Sequence, residues 1–294
     1  MPQSTHQWRQ TDSASFMLEY YNNGLNCFQP GIMNLMNGDQ RTVAEFPIFY
    51  YLGAILSKLF FYSEGWLRIL NFIIYTLGFY YFYKWVYQEL KSIILSLTIT
   101  IICFTSPVLL YYSFNILPDP TGFGFSILAI SLIGINETVA LNRFNKFLLV
   151  ISLSLAGMIK LPFLFLPIGY YFLSYFFLKS ADKKLIKQVL LGLVFPVCWF
   201  FISKYYNGIH NSDYFLSRLM PIWQCDSEQI SAIFNRIKTG WFLDYLSLSS
   251  WIILVTGLIF LIYQSFTKFS NKLFIWIVSF FWLLFDIFIV VYPI

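Results

Sequence analysis

Charge is scarce in this chain, histidine scarcer still, and the familiar nucleotide- and metal-binding signatures are missing. Only 11% of the 294 residues are Asp, Glu, Lys or Arg, against about 25% in soluble domains. With 58% of residues hydrophobic and a mean hydropathy of +0.66, a water-soluble fold could not hide the apolar surface. Two histidines, His6 and His210, leave a multi-histidine metal site without ligands. No Walker loop, GxGxxG after a strand, HExxH or CxxC occurs, which argues against phosphoryl transfer from a soluble nucleotide. Residues 1–45 are polar and rich in Asn, Gly and Gln, with no secretory or lipidation pattern, so the chain is expected to begin outside any spanning helix. Of four cysteines, Cys103 and Cys198 fall in apolar runs and read as small buried hydrophobes, whereas Cys27 and Cys225 lie in polar stretches where a disulfide is an open alternative.

What the chain has in abundance is aromatic: 34 Phe, 21 Tyr and 9 Trp suit helices packed in lipid with amphipathic rings at both interfaces. Apolar runs fall at 66–85, 92–114, 121–135, 147–158, 161–178, 188–202, 248–266 and 273–292. A bilayer crossing takes roughly 20 residues, so the expected fold class is all-α, a polytopic transmembrane bundle of about eight spans. A further run at 46–62 carries Lys58 and many aromatics. It reads as an interfacial or re-entrant helix. Residues 1–45 then form an outer-face acidic loop with short helices, and 46–294 the bundle, including an outer loop at 204–247.

The net charge of +5 is therefore not a nucleic-acid signal. Ten of the 19 Lys and Arg sit in four short links, at Lys84/Lys91, Arg143/Lys146, Lys179 to Lys187 and Lys268/Lys272, and strict alternation of spans puts all four on one side. Basic links favour the cytoplasm. Ten of the fourteen acids then fall on the outer side, three inside, and Asp286 within the last span.

Five charged residues of that outer side carry the functional argument. His6 to Ala14 opens a helix that continues to Tyr21, read either as a solvated interfacial tail or, through Arg9 and Asp12, as part of a site. Asp119 stands between Pro118 and Pro120 on a stiff backbone and suits both a helix cap and a catalytic role. Glu45 marks the return of the loop to the membrane, where it starts a helix or meets a substrate. Lys160 interrupts a long apolar stretch, as a snorkelling loop lysine or as a cation for a phosphate. Asp286, in mid-span, reads as a relay group or a bundle-facing hydrogen bond.

In order and spacing, Trp8-Arg9-Gln10-Thr11-Asp12, Glu45-Phe46-Pro47, Pro118-Asp119-Pro120 and Lys160-Leu161-Pro162 resemble the polytopic glycosyltransferases of the GT-C class. The resemblance is greatest to the bacterial branch related to protein mannosyltransferases and the lipid A aminoarabinose transferase. It covers roughly residues 3–171. It implies an enzyme that passes a sugar from a polyprenyl-phosphate carrier to a glycan, lipid or protein acceptor hydroxyl at the outer face of the cell membrane. Asp12 and Asp119 match the catalytic acids, and Arg9, Glu45 and Lys160 the substrate-binding set. The resemblance makes no cofactor certain and leaves a divalent metal open.

This sequence departs from the family where Phe46 replaces a cation that some relatives carry after the re-entry acid. Family members normally open with a span before the first acidic loop, whereas Asp12 lies eleven residues after Met1, and many continue past Ile294. The chain is accordingly expected to be truncated or to have a misplaced start. Two other classes compete: a transporter or flippase for a lipid-linked or small polar solute, and a noncatalytic fragment or assembly partner.

Overall fold

The computed structural model describes residues 7–33, 39–178, 185–212 and 225–236, with isolated positions between 238 and 259. Among these the fold is all-α, its only extended pairing being a single bridge between Gly31 and Arg41. The helices are α1 (Gln7–Asn23), α2 (Ile48–Leu59), α3 (Gly65–Leu90), α4 (Ile93–Phe104), α5 (Pro107–Ser113), α6 (Asp119–Thr138), α7 (Arg143–Ile159), α8 (Phe165–Leu173), α9 (Ile186–Ile209) and α10 (Ser227–Arg236).

Two of them, α6 and α9, are long and apolar enough to cross a membrane, with a third candidate if the bent pair α4 and α5 is counted as one. The run at 92–114, expected as one span, breaks by 70° because Pro107 lacks an N–H and pushes Ser106 (φ −50°, ψ 125°) out of the helical region. The run at 161–178 likewise divides into a 3-10 turn (Leu161–Leu164), α8 and a π turn (Ser174–Leu178). α3, at 26 residues, has the length, but Arg68, Lys84, Glu89 and five tyrosines dilute its apolar character. α2 has 12 residues, about 18 Å of helix against a hydrocarbon core of about 30 Å. The runs at 248–266 and 273–292, with Asp286, lie wholly or largely outside the described residues.

α6 is the buried centre, packed on α3, α7 and α8 around Trp85, Leu128, Leu132, Leu153 and Tyr171. α3 and α6 approach closely because both are glycine at the crossing. A Cβ at Gly78 would stand 2.5 Å from the Gly124 carbonyl oxygen, which is backbone and cannot step aside. Small residues at the crossing are how helices pack where lipid removes the hydrophobic drive between them. A second core joins α1 and α2 through Phe16, Met17, Tyr20, Phe49 and Tyr50, and docks on Leu67 and Ile116. α9 is the opposite of α6: Leu190, Leu191, Val194, Phe195, Phe201 and Ile202 are about half exposed, a surface suited to lipid. All four cysteines are free thiols, so the Cys27–Cys225 disulfide is not formed.

Candidate functional site

Four segments far apart in sequence converge at the N-terminal end of α6. α1 contributes Arg9, the link before α2 contributes Glu45, the first turn of α6 contributes Asp119, and the C-cap of α7 contributes Lys160. Arg9 Nη2 donates to Asp119 Oδ2 (3.0 Å) and more weakly to Glu45 Oε1 (3.5 Å), while Lys160 Nζ donates to Asp119 Oδ1 (3.0 Å). Both oxygens of Asp119 thus face a cation. The side chains are between 19% and 42% exposed, Lys160 the most open, so the cluster is shielded yet reachable.

Each position has a local cause. Asp119 is not the N-cap, a place taken by Pro118, but lies in the first turn, where the helix dipole favours a carboxylate. The loop before it is held by Asn71, a fully buried amide on α3. Its Nδ2 donates to the carbonyls of Asn115 (2.6 Å) and Leu117 (2.7 Å), and its Oδ1 accepts from Thr121 Oγ1 (2.5 Å). Lys160 sits where α7 ends in extended backbone (φ −160°, ψ 123°) ahead of the turn containing Pro162.

Glu45 is placed from both sides. Phe46 N donates to the Met158 carbonyl (3.0 Å), tying the link to the end of α7. Two residues before Glu45, Asn207 on α9 clasps Val43 through both of its amide atoms (2.8 Å each), and Thr42 Oγ1 pairs with Ser212 Oγ (2.6 Å). Tyr50, one turn into α2, donates to Glu45 Oε2 (3.1 Å). Burial, reinforced by the charge of Asp119, pushes the Glu45 carboxyl above its ordinary range, against the pull of Arg9. Burial thus works against its ionised form.

Of the five site residues expected from sequence, Arg9, Glu45, Asp119 and Lys160 form one ionic cluster. Asp12 follows Arg9 by three residues, on the same face of α1, and is half-buried. The residues missed are the supports, Asn71, Asn207 and Tyr50. Asn71 carried a usable signal, since a polar amide inside an apolar run must find partners.

A second polar group ties down the segment between α1 and α2: His210 Nδ1 meets Asp39 Oδ2, Tyr206 OH donates to the Pro30 carbonyl (2.9 Å), and Arg41 lies 3.8 Å from the buried Glu19. Among the described residues, no three His, Cys, Asp or Glu side chains gather as metal ligands. No protein-family model, curated protein or solved structure matches the chain.

Proposed function

We propose that this chain is a membrane glycosyltransferase that moves a sugar from a polyprenyl-phosphate donor to an acceptor hydroxyl. The observation that carries the reading is the cluster itself: two cations, one carboxylate held between them on both oxygens, and a second carboxyl beside Arg9. The cluster brings two cations to one place. That matches a leaving phosphate, whose developing charge cations stabilise. Lys160, the most exposed member, meets the phosphate as a point charge, and Arg9 adds its planar fork.

In the proposed step the acceptor oxygen attacks the anomeric carbon and the bond from that carbon to the phosphate oxygen breaks. The polyprenyl phosphate leaves with the electron pair, and the hydroxyl proton passes to a carboxylate. Asp119, committed on both oxygens to Arg9 and Lys160, holds the cations in place. Asp12, one turn from Arg9, is the base we assign. Inversion at the anomeric carbon follows from a single displacement.

The reading includes a multi-pass topology of about eight spans, basic links in the cytoplasm and the cluster on the outer face. Reporter fusions at Lys184 and His210 test it, because both reporting from one side would contradict it. The chemical test uses membranes holding the full chain and a radiolabelled polyprenyl-phosphate sugar, comparing wild type with Asp12→Asn and Asp119→Asn. Both variants are expected to lose transfer. Transfer that survives both substitutions ends the assignment.

One observation favours a second reading. One helix break falls in the polar cluster, at Lys160 between α7 and α8, and another lies between α4 and α5, like the breaks of transporters whose broken helices line a substrate path. Uptake or flipping of a labelled lipid-linked sugar without transfer would select it.

A further inference from the structure

α7 and α9 lie side by side and parallel. Gly192 packs on Leu153, Gly157 on Pro196, and Ser154 Oγ donates to the Gly192 carbonyl (3.3 Å). Along their outer seam runs an open groove of about 600 Å³. Its wall is apolar, built by Val150, Leu155 and Met158 from α7 and by Leu191 and Phe195 from α9, with Phe46 beside Met158 at one end. The other end is different. There Lys146 and Lys187, in the first turns of α7 and α9, line the groove together with Gln188.

Neither lysine has a carboxylate partner among the described residues, and the Gln188 side-chain oxygen is buried without a hydrogen bond. The N-termini of both helices open on the same end and add their positive dipole ends. The lysines are about 20 Å along α7 from Lys160, given 1.5 Å per residue. They therefore belong to the face opposite the ionic cluster.

We propose that this groove binds an anionic glycerophospholipid of the bilayer, its acyl chain along the apolar seam and its phosphate between Lys146 and Lys187. The inference rests on the membrane reading above but not on the transfer chemistry. Charge complementarity selects the occupant. A zwitterionic lipid brings an ammonium group to two lysines that pair with no carboxylate among the described residues, whereas an anionic one brings only the phosphate. A headgroup hydroxyl, as in phosphatidylglycerol, also donates to the orphaned Gln188 oxygen. The donor's polyprenyl chain is the competing occupant, but its phosphate would have to lie at the Lys160 end, where the groove offers only Phe46 and Met158.

The test places the full chain in phosphatidylcholine nanodiscs and titrates phosphatidylglycerol, counting bound lipid by native mass spectrometry. A photoactivatable acyl chain maps where it lies. Wild type is expected to prefer phosphatidylglycerol and to crosslink on α7 and α9. Lys146→Gln with Lys187→Gln should weaken binding about twenty-five-fold, at roughly fivefold per lysine. Lys146→Arg with Lys187→Arg should retain it, and Leu191→Trp, which fills the seam, should weaken it without touching charge.

Equal binding of phosphatidylcholine, binding that survives the double Gln change, or competition by polyprenyl phosphate at the mapped peptides would each overturn the proposal. If the double Gln variant fails to fold, the crosslink map of wild type and the Leu191→Trp titration decide. Asp119→Asn should bind phosphatidylglycerol like wild type even where transfer is lost, which separates this site from the proposed chemistry.

Discussion

Lys160 Nζ stands 3.0 Å from Asp119 Oδ1 although 41 residues separate the two, so the end of α7 and the start of α6 are joined by a charge-assisted hydrogen bond. Lys160 is also the most exposed group of the cluster. If it meets the donor phosphate, Lys160→Gln should raise the apparent KM for the polyprenyl-phosphate sugar by about tenfold or more, the equivalent of one charge-assisted contact. Lys160→Arg should recover part of this. Steady-state kinetics on reconstituted protein reads the split, and an unchanged KM with a fallen kcat would reassign Lys160 to holding Asp119 alone.

Asn71 makes the sharpest stability prediction. Asn71→Leu preserves volume but strips partners from the carbonyls of Asn115 and Leu117 and from the Thr121 hydroxyl, all buried. Each stranded polar group costs about 1–3 kcal/mol. The variant should lose several degrees of Tm in detergent and lower transfer, because the released loop leads directly into Asp119. Asn71→Leu with wild-type Tm would show that the loop is held from elsewhere.

The α3/α6 crossing should reject any side chain. Gly78→Ala puts a methyl 2.5 Å from the Gly124 carbonyl oxygen, so the helices must part, at a cost of about 1–3 kcal/mol. Gly208 on α9 has nothing within 4 Å of its added Cβ. Gly208→Ala should therefore be neutral or stabilising by up to about 1 kcal/mol through helix propensity. Thermal unfolding of the two variants, compared directly, checks the contrast.

The helices and the four charged groups of the cluster were legible because each signal is local. An apolar run declares a helix, and Glu45, Asp119 and Lys160 each stand where an apolar run meets a polar link, whereas Arg9 lies within the polar segment 1–45 and is marked only by the Trp8-Arg9-Gln10-Thr11-Asp12 run. Their supports were not legible. Asn207 looked like the first part of an outer loop, yet α9 continues to Ile209 and turns the amide onto Val43, a pairing across 164 residues that only the packing of α9 reveals. Pro107 was visible, but an apolar run alone does not say whether a proline bends a helix or ends it.

Glu45 gives the pH prediction, and its sign follows from its raised carboxyl. A carboxyl that holds its proton more tightly in the folded state stabilises the fold while it is protonated; between the two pKa values the folded state binds more protons than the unfolded one, so stability falls as pH rises. The window opens near the ordinary value of 4.5, where the unfolded chain begins to ionise, and closes above the raised folded value. Glu45→Gln removes this dependence. Relative to the variant, wild type should therefore lose stability across that window on raising the pH and be flat below it. Asp39 works in the opposite direction: the Arg41 backbone N–H and then the His210 ring hold its carboxyl low. Its contribution is present above the ordinary 3.8 and lost as pH falls through the lower folded value. Denaturant unfolding of wild type, Glu45→Gln and Asp39→Asn between about pH 3 and 7 separates the two slopes. A Glu45→Gln curve parallel to wild type throughout would mean that Arg9 and Tyr50 compensate its burial completely.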